Sequence, residues 1–238
     1  QAQPPAAGPA SVDPALLAEL TWRNIGPHRA SRTRAMTGVV QEPHTFYIGV
    51  SNGGVWKTTD AGRTWLPIFD RESTGSTGAI AVAPSDPRVL YVGTGEAHQR
   101  PDLSVGNGLY ASVDAGRTWT HLPQLRDTQQ ITAIVVHPRD PRHLFVAALG
   151  HPYGPSTERG VFRSRDGGQT FERVLYKDEN TGAADVAMDP ENHFARLLLG
   201  CRLPGDATDT EVLLDGRGRL EAAVEACPRS AGAATQVR

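Results

Sequence analysis

The sequence predicts an all-β chain, a β-propeller of four-stranded blades with about three complete blades and part of a fourth. One observation is a pattern that recurs three times about 53 residues apart; the other is a strand-like run on each side of every copy. The copies read Thr58-Thr59-Asp60-Ala61-Gly62-Arg63-Thr64-Trp65, Ser112-Val113-Asp114-Ala115-Gly116-Arg117-Thr118-Trp119 and Ser164-Arg165-Asp166-Gly167-Gly168-Gln169-Thr170-Phe171. A fixed period of this length marks an array of small sheets, each too small to bury its own faces.

The chemistry of the pattern makes it a hairpin clamp. Its carboxylate (Asp60, Asp114, Asp166) accepts hydrogen bonds from backbone N–H groups of a tight turn. The glycine two places on (Gly62, Gly116, Gly168) supplies a positive φ, and the Thr and aromatic residue (Trp65, Trp119, Phe171) start the returning strand. Each copy is preceded by Gly and an apolar-aromatic pair: Val55-Trp56, Leu109-Tyr110 and Val161-Phe162. Trp56, Trp65, Tyr110 and Trp119 are expected to face a neighbouring blade as core residues.

The elements follow in order. The first unit has a run over 35–40, a turn at Gln41-Glu42-Pro43-His44 and a run over 45–50, then the clamp hairpin. The second has runs at 78–83 and 89–93 around Pro84-Ser85-Asp86-Pro87, and the third has runs at 131–137 and 144–148 around Pro138-Arg139-Asp140-Pro141. Each unit thus supplies four strands of about five residues, one blade.

The fourth unit opens with a run at 184–188 and Pro190-Glu191-Asn192, then breaks at His193. Aligned on the turns, Arg196 falls where Leu90 and Leu144 fall, which puts a charge at a position expected to be buried. Residues 194–238 are therefore read as a tail foreign to the repeat, out-of-frame or disordered, with a short helix over 219–227; the alternative is a genuine cap. The domain reading is a flexible Pro/Ala-rich segment at 1–20, blades at 21–193 and this tail. Propellers close with roughly 4 to 8 blades, so the open ends call for further blades or for self-association through exposed edges.

Composition excludes several function classes. A net charge of −2 argues against nucleic-acid or anionic-membrane binding. No apolar run approaches the roughly 20 residues of a membrane helix. The opening Gln1-Ala2-Gln3-Pro4-Pro5-Ala6-Ala7-Gly8-Pro9-Ala10 reads as a mature exported chain after removal of a signal, although a fragment boundary has the same appearance. Cys201 and Cys227 lie outside the repeats, and a single pair does not establish a disulfide.

At the three clamps the chain resembles the Asp-box, or bacterial neuraminidase repeat, propellers. With its Asp-Pro turns and Trp22-Arg23-Asn24-Ile25-Gly26-Pro27 it looks most like the exported sortilin-like propellers of bacteria, which carry a glycosyl hydrolase label. The resemblance covers residues 21–192 and implies the fold, not the chemistry, since these boxes occur in sialidases, xyloglucanases, sorting receptors and assembly factors. Arg29, Arg32 and Arg34 lack the Arg-Ile-Pro signature of a sialidase. In xyloglucanases a catalytic Asp stands in Asp-x-Gly-Gly before an aromatic strand. Laid on Asn52-Gly53-Gly54-Val55-Trp56, it falls on Ser51 or Asn52, neither of which has a carboxylate.

The clamp joins the third strand of a blade to the fourth, so the loops at the opposite rim are where a ligand is expected. Those loops hold weak catalytic candidates, Glu96 and Asp102 with Asp178 or Glu179 opposite, which as two carboxylates across a cleft would suit glycosidic chemistry. His98, Arg100, His151, Tyr153, Glu158 and Arg159 are expected to line the same rim. His98 and His151 lack metal-ligand spacing, so neither a metal nor a cofactor is expected. The preferred function is a non-catalytic module that binds a peptide or a glycan at the rim; the alternative is a glycoside hydrolase with catalytic carboxylates partly on other blades.

Overall fold

A computed structural model describes residues 32–97 and 102–188, together with the strand backbones of Ala195–Cys201, Asp209–Leu214 and Leu220–Cys227. The segments 1–20 and 22–27, His98 and Arg100 lie outside the described residues. The described elements are all strands, sixteen of them, in four antiparallel sheets of four.

The first sheet runs β1 (Thr33–Val39), β2 (Glu42–Val50), β3 (Gly54–Thr58) and β4 (Leu66–Pro67). The second is β5 (Thr77–Ala83), β6 (Asp86–Thr94), β7 (Leu109–Ser112) and β8 (Thr120–His121). The third is β9 (Ile131–Val136), β10 (Leu144–Ala148), β11 (Gly160–Ser164) and β12 (Glu172–Leu175). In each, sequence neighbours pair in order, so the sheet is a meander and forms one blade. The innermost strands β1, β5, β9 and β13 lie side by side, and the blades do not close into a ring.

Blade faces alternate as strand geometry requires. In the second blade Leu90, Val92 and Tyr110 face back onto Ala35, Tyr47, Val55 and Phe69 of the first. On the other face, Tyr91 and Leu109 pack forward onto Leu144, Val146 and Phe162 of the third. Glycine permits the close approach: a Cβ on Gly49 would strike Thr77 of the next blade, and one on Gly93 would strike Ile131. Tyrosine hydroxyls bridge the same seams, Tyr47 donating to the Ala115 carbonyl (3.4 Å) and Tyr91 to that of Pro141 (2.9 Å).

The fourth sheet departs from the sequence expectation. β13 (Thr181–Met188) pairs in turn with β14 (Ala195–Cys201), β15 (Asp209–Leu214) and β16 (Leu220–Cys227). Where a short helix is expected, Leu220–Cys227 is strand, and the backbones of β14, β15 and β16 complete a four-stranded sheet with β13. A bulge between Ala183 and Asp185 shifts the register, so Arg196 pairs with Ala187, which is exposed. The column packed on the third blade is that of Val186, opposite Leu197. Arg196 therefore falls in register with the uncovered column, and the alignment that matched it to Leu90 and Leu144 is off by one place.

Candidate functional site

The three repeated turns share one hydrogen-bonding scheme. Asp114 Oδ1 accepts from Thr118 N (2.9 Å) and Arg117 N (2.9 Å), Oδ2 accepts from Thr118 Oγ1 (2.6 Å), and Ser112 Oγ donates to Oδ1 (2.8 Å). Gly116 N in turn donates to Ser112 Oγ (2.9 Å). Asp60 and Asp166 accept from Thr64 and Thr170 with the same 2.9 and 2.6 Å distances. The threonine hydrogen bonds hold all three carboxyls down at about 2. They are clamps, ionised and fully engaged, and not proton donors.

Two measurements check this. Asp114→Ala should destabilise the chain by about 1–2 kcal/mol, as two turn N–H groups and two hydroxyls lose their acceptor, while ligand binding falls only with the folded fraction. A stable variant that has lost binding would contradict a purely structural role. The second concerns acid. A carboxyl with a lowered folded pKa stabilises above its unfolded value, so the clamps contribute fully above about 4 and are lost as pH falls through about 2. A pH series of urea midpoints should be level near neutrality and fall across that window.

At the opposite rim each blade ties the start of its first strand to the end of its second, and side chains then join adjacent blades. The residues just before β1, β5 and β9 accept through their carbonyls from the residue following the second strand: Ser51 N to Arg32 O (2.9 Å), Gly95 N to Ser76 O (3.1 Å) and Leu149 N to Gln130 O (2.9 Å). Arg32, Ser76 and Gln130 thus occupy equivalent places. Gln130 is fully buried, and its Oε1 accepts from Glu96 N (2.6 Å) and Ala97 N (3.1 Å) while its Nε2 donates to Ser104 O (2.9 Å).

Glu96 is removed from the catalytic candidates. It has no exposed surface, and its Oε2 accepts from Arg32 Nη2 at 2.6 Å while Oε1 accepts from Ser104 N at 3.2 Å. Burial raises its pKa, but the hydrogen bonds from Arg32 and Ser104 outweigh burial and hold it below the usual glutamate value. A buried, ionised, paired carboxylate neither reaches a sugar nor carries the proton that a general acid donates. In the sequence Arg32 and Glu96 stand 64 residues apart on different blades, and no local pattern links them.

Asp178 is also structural: Oδ1 caps a turn by accepting from Asn180 N and Thr181 N, both at 2.8 Å. Burial raises its pKa, yet these hydrogen bonds bring it below the ordinary value. Arg159, only 2% exposed, donates to the carbonyls of His151 (2.8 Å), Gly154 (2.9 Å) and Asn180 (3.3 Å), so it anchors the loops beneath the rim and does not line its surface. Glu179 is exposed and its carbonyl accepts from Ser156 N (2.9 Å). Glu158 is half-buried. Asp102 is exposed and close enough to Arg32 to help raise the guanidinium pKa, after the Glu96 hydrogen bond.

His151 and Tyr153 do come together. Their rings meet edge to face at 6.1 Å, His151 Nδ1 lies 2.9 Å from Gln129 Oε1, and the Tyr153 hydroxyl accepts from Leu103 N (3.1 Å) across to the second blade. Tyr153 keeps 49% of its surface exposed. An exposed aromatic face flanked by polar groups is suited to stacking on a sugar ring. Ser51 is buried and Asn52, at positive φ, is exposed, so neither position offers a carboxylate to the rim. Among the described residues no cluster of three or more His, Cys, Asp or Glu is placed to hold a metal ion, and no helix is long and apolar enough to cross a membrane.

Comparison with known proteins identifies the architecture. No family model matches the chain. It is 28% identical over 166 residues to a "Probable oligoxyloglucan-reducing end-specific xyloglucanase" of Neosartorya fischeri, covering 67% of this chain and 19% of that protein. It is 25% identical over 195 residues to a xyloglucanase of a Paenibacillus species, covering 76% of this chain and 18% of that one. The chain thus spans about a fifth of the length of these relatives. Among solved structures, an ancestral GH74 enzyme superposes with a TM-score of 0.63 at 19% identity, over 85% of this chain and 25% of that one. The GH74 xyloglucanase of Xanthomonas campestris gives 0.62 at 15% identity, over 84% and 32%. The chain is a β-propeller portion with xyloglucanase-like relatives.

Proposed function

We propose that the chain is a sector of an Asp-box propeller of the xyloglucanase-like glycoside hydrolase kind, and that its loop rim binds a xyloglucan-type polysaccharide. The sortilin-like resemblance of residues 21–192 belongs to the same reading. The observation that carries it is the exposed Tyr153 ring beside His151 and Gln129, on a chain whose matched relatives are carbohydrate-active. Glycan is favoured over peptide for that reason. Such a polysaccharide is met outside the cell, so an exported location goes with this reading.

Hydrolysis needs a protonated acid and a second carboxylate across the scissile bond. In this sector Glu96 is paired, Asp178 is engaged in a turn, and Ser51 and Asn52 carry no carboxylate. Asp102 and Glu179 are the candidate carboxylates that stay exposed on this rim, and on this reading the sector binds while cleavage draws partly on carboxylates of other blades.

Titration calorimetry with a xyloglucan oligosaccharide tests both parts. Tyr153→Ala should weaken binding about tenfold, the scale of a lost aromatic contact, and Asp102→Asn or Glu179→Gln should leave binding within about twofold. Binding of a peptide but no glycan would overturn the ligand class. Release of reducing ends that disappears in Asp102→Asn would show that the sector itself is catalytic.

A further inference from the structure

Among the described residues, a glycine directly follows Asn or Asp at three places: Asn52-Gly53, Asn107-Gly108 and Asp166-Gly167. With no side chain to shield it, the nitrogen of such a glycine can reach the carbonyl carbon of the preceding side chain. The fold closes this route at two of the three. Asn107 is half-buried; its Nδ2 donates to Ser73 Oγ (2.9 Å) and to the Tyr110 hydroxyl (3.0 Å), and its Oδ1 accepts from Thr94 Oγ1 (3.4 Å). Its glycine is enclosed too, since a Cβ on Gly108 would strike the Leu125 carbonyl and Arg126 Cα. Asp166 is held ionised by the Thr170 N–H and hydroxyl, and a carboxylate offers no leaving group.

Asn52 is exposed, and among the described residues no hydrogen bond engages its side-chain amide. It sits in the turn between β2 and β3, where Gly53 N donates to Val50 O at a long 3.2 Å. Its φ of 56° is in the left-handed region, which this place in a turn reserves for Gly or Asn. The turn is tied down by its backbone instead. Ser51 N donates to Arg32 O (2.9 Å) and Gly54 N to Gly75 O (2.7 Å), and a Cβ on Gly75 would stand 3.6 Å from the Asn52 carbonyl carbon.

We propose that Asn52 is a self-modification site: in the folded chain its amide is converted with water to aspartate or isoaspartate, and the isoaspartate form releases the β2–β3 turn from Gly75 and Arg32. Gly53 N gives up its hydrogen bond to Val50 O, loses its proton and attacks Asn52 Cγ. The new C–N bond closes a cyclic imide while the Cγ–Nδ2 bond breaks, and Nδ2 leaves as ammonia. Water then opens the ring. Addition at Cγ restores the main chain and leaves aspartate; addition at the Asn52 backbone carbonyl routes the main chain through Cβ and Cγ, which is isoaspartate. The net change is water taken up and ammonia released, with no oxidation or reduction. Isoaspartate lengthens a turn whose ends are fixed by the pairing of Val50 with Gly54, so the ties at Ser51 and Gly54 give way.

The full chain, held folded at mildly alkaline pH and then digested with trypsin, tests this. Peptide 35–57 should gain the mass of an amide-to-acid exchange, placed at Asn52 by its fragment ions. The gain should be about tenfold faster than at Asn107, whose amide must first break its hydrogen bonds to Ser73 and Tyr110. Asn52→Gly, which keeps the left-handed turn, should show no gain in that peptide. In the isoaspartate fraction, amide exchange at Ser51 and Gly54 should be about tenfold faster than in the parent. Asn52→Asp, with the same charge on an unlengthened backbone, should hold the parental rates. Conversion that occurs in urea but not in the folded chain, or that runs no faster at Asn52 than at Asn107, overturns the proposal. So does an isoaspartate fraction whose Ser51 and Gly54 amides exchange at parental rates.

Discussion

Arg32→Met should lower the urea midpoint near neutral pH more than any other single rim substitution. The loss is tempered because the Arg32 side chain is 33% exposed. Glu96 is the reason for the loss: with no surface of its own, it would be left ionised in the seam with Ser104 N and without its guanidinium. The pH dependence should reverse. In the parent chain the lowered Glu96 pKa gives stability that is lost as pH falls through the folded value. In Arg32→Met burial is left to dominate and the pKa rises above its unfolded value, so the variant gains stability as pH falls toward about 5. Urea midpoints at about pH 7 and about pH 5 measure both slopes. Adding Glu96→Gln should restore most of the loss, because a neutral side chain in the same place needs no counter-charge. Equal stability of Arg32→Met and the double variant would show that the pair does not couple the blades.

That pair also shows what the sequence could disclose. The clamps were legible because Asp, Gly, Thr and the aromatic residue lie within eight positions, so the chemistry is local and repeats in register. Glu96 was not, because its burial depends on Arg32 and Gln130, which approach it only when three units stack. Composition placed Glu96 with the exposed loop acids, whereas packing placed it inside. Tyr153 and His151 lay between these extremes: their loop could be assigned to the rim from strand order, but the Leu103 contact that holds the ring crosses to another blade. Arg159 was assigned to the right loop and the wrong depth, since a side chain that serves three carbonyls has no local signature.

Deleting residues 194–238 should have the largest effect on exchange anywhere in the chain. β13 packs its Ala183 and Val186 onto Phe145, Ala147 and Val161 of the third blade, while its one paired edge is bonded to β14. Removing β14 to β16 leaves β13 as a lone edge strand with one side chain row for support, below what a sheet needs to persist. Amides from Thr181 to Met188 should then exchange about a hundredfold faster. As β13 detaches, Phe145 and Val161 lose their cover and protection falls in β9 and β10 as well. The first two blades should keep their rates, because each seam joins only neighbouring blades. The sequence reading of this tail as foreign to the repeat makes the opposite forecast, in which the second and third blades, β9 included, are unchanged. The sheet of β13 to β16 is a working cap only if its loss is felt at Ile131–Val136; unchanged protection there would reduce residues 194–238 to an appendage of the third blade.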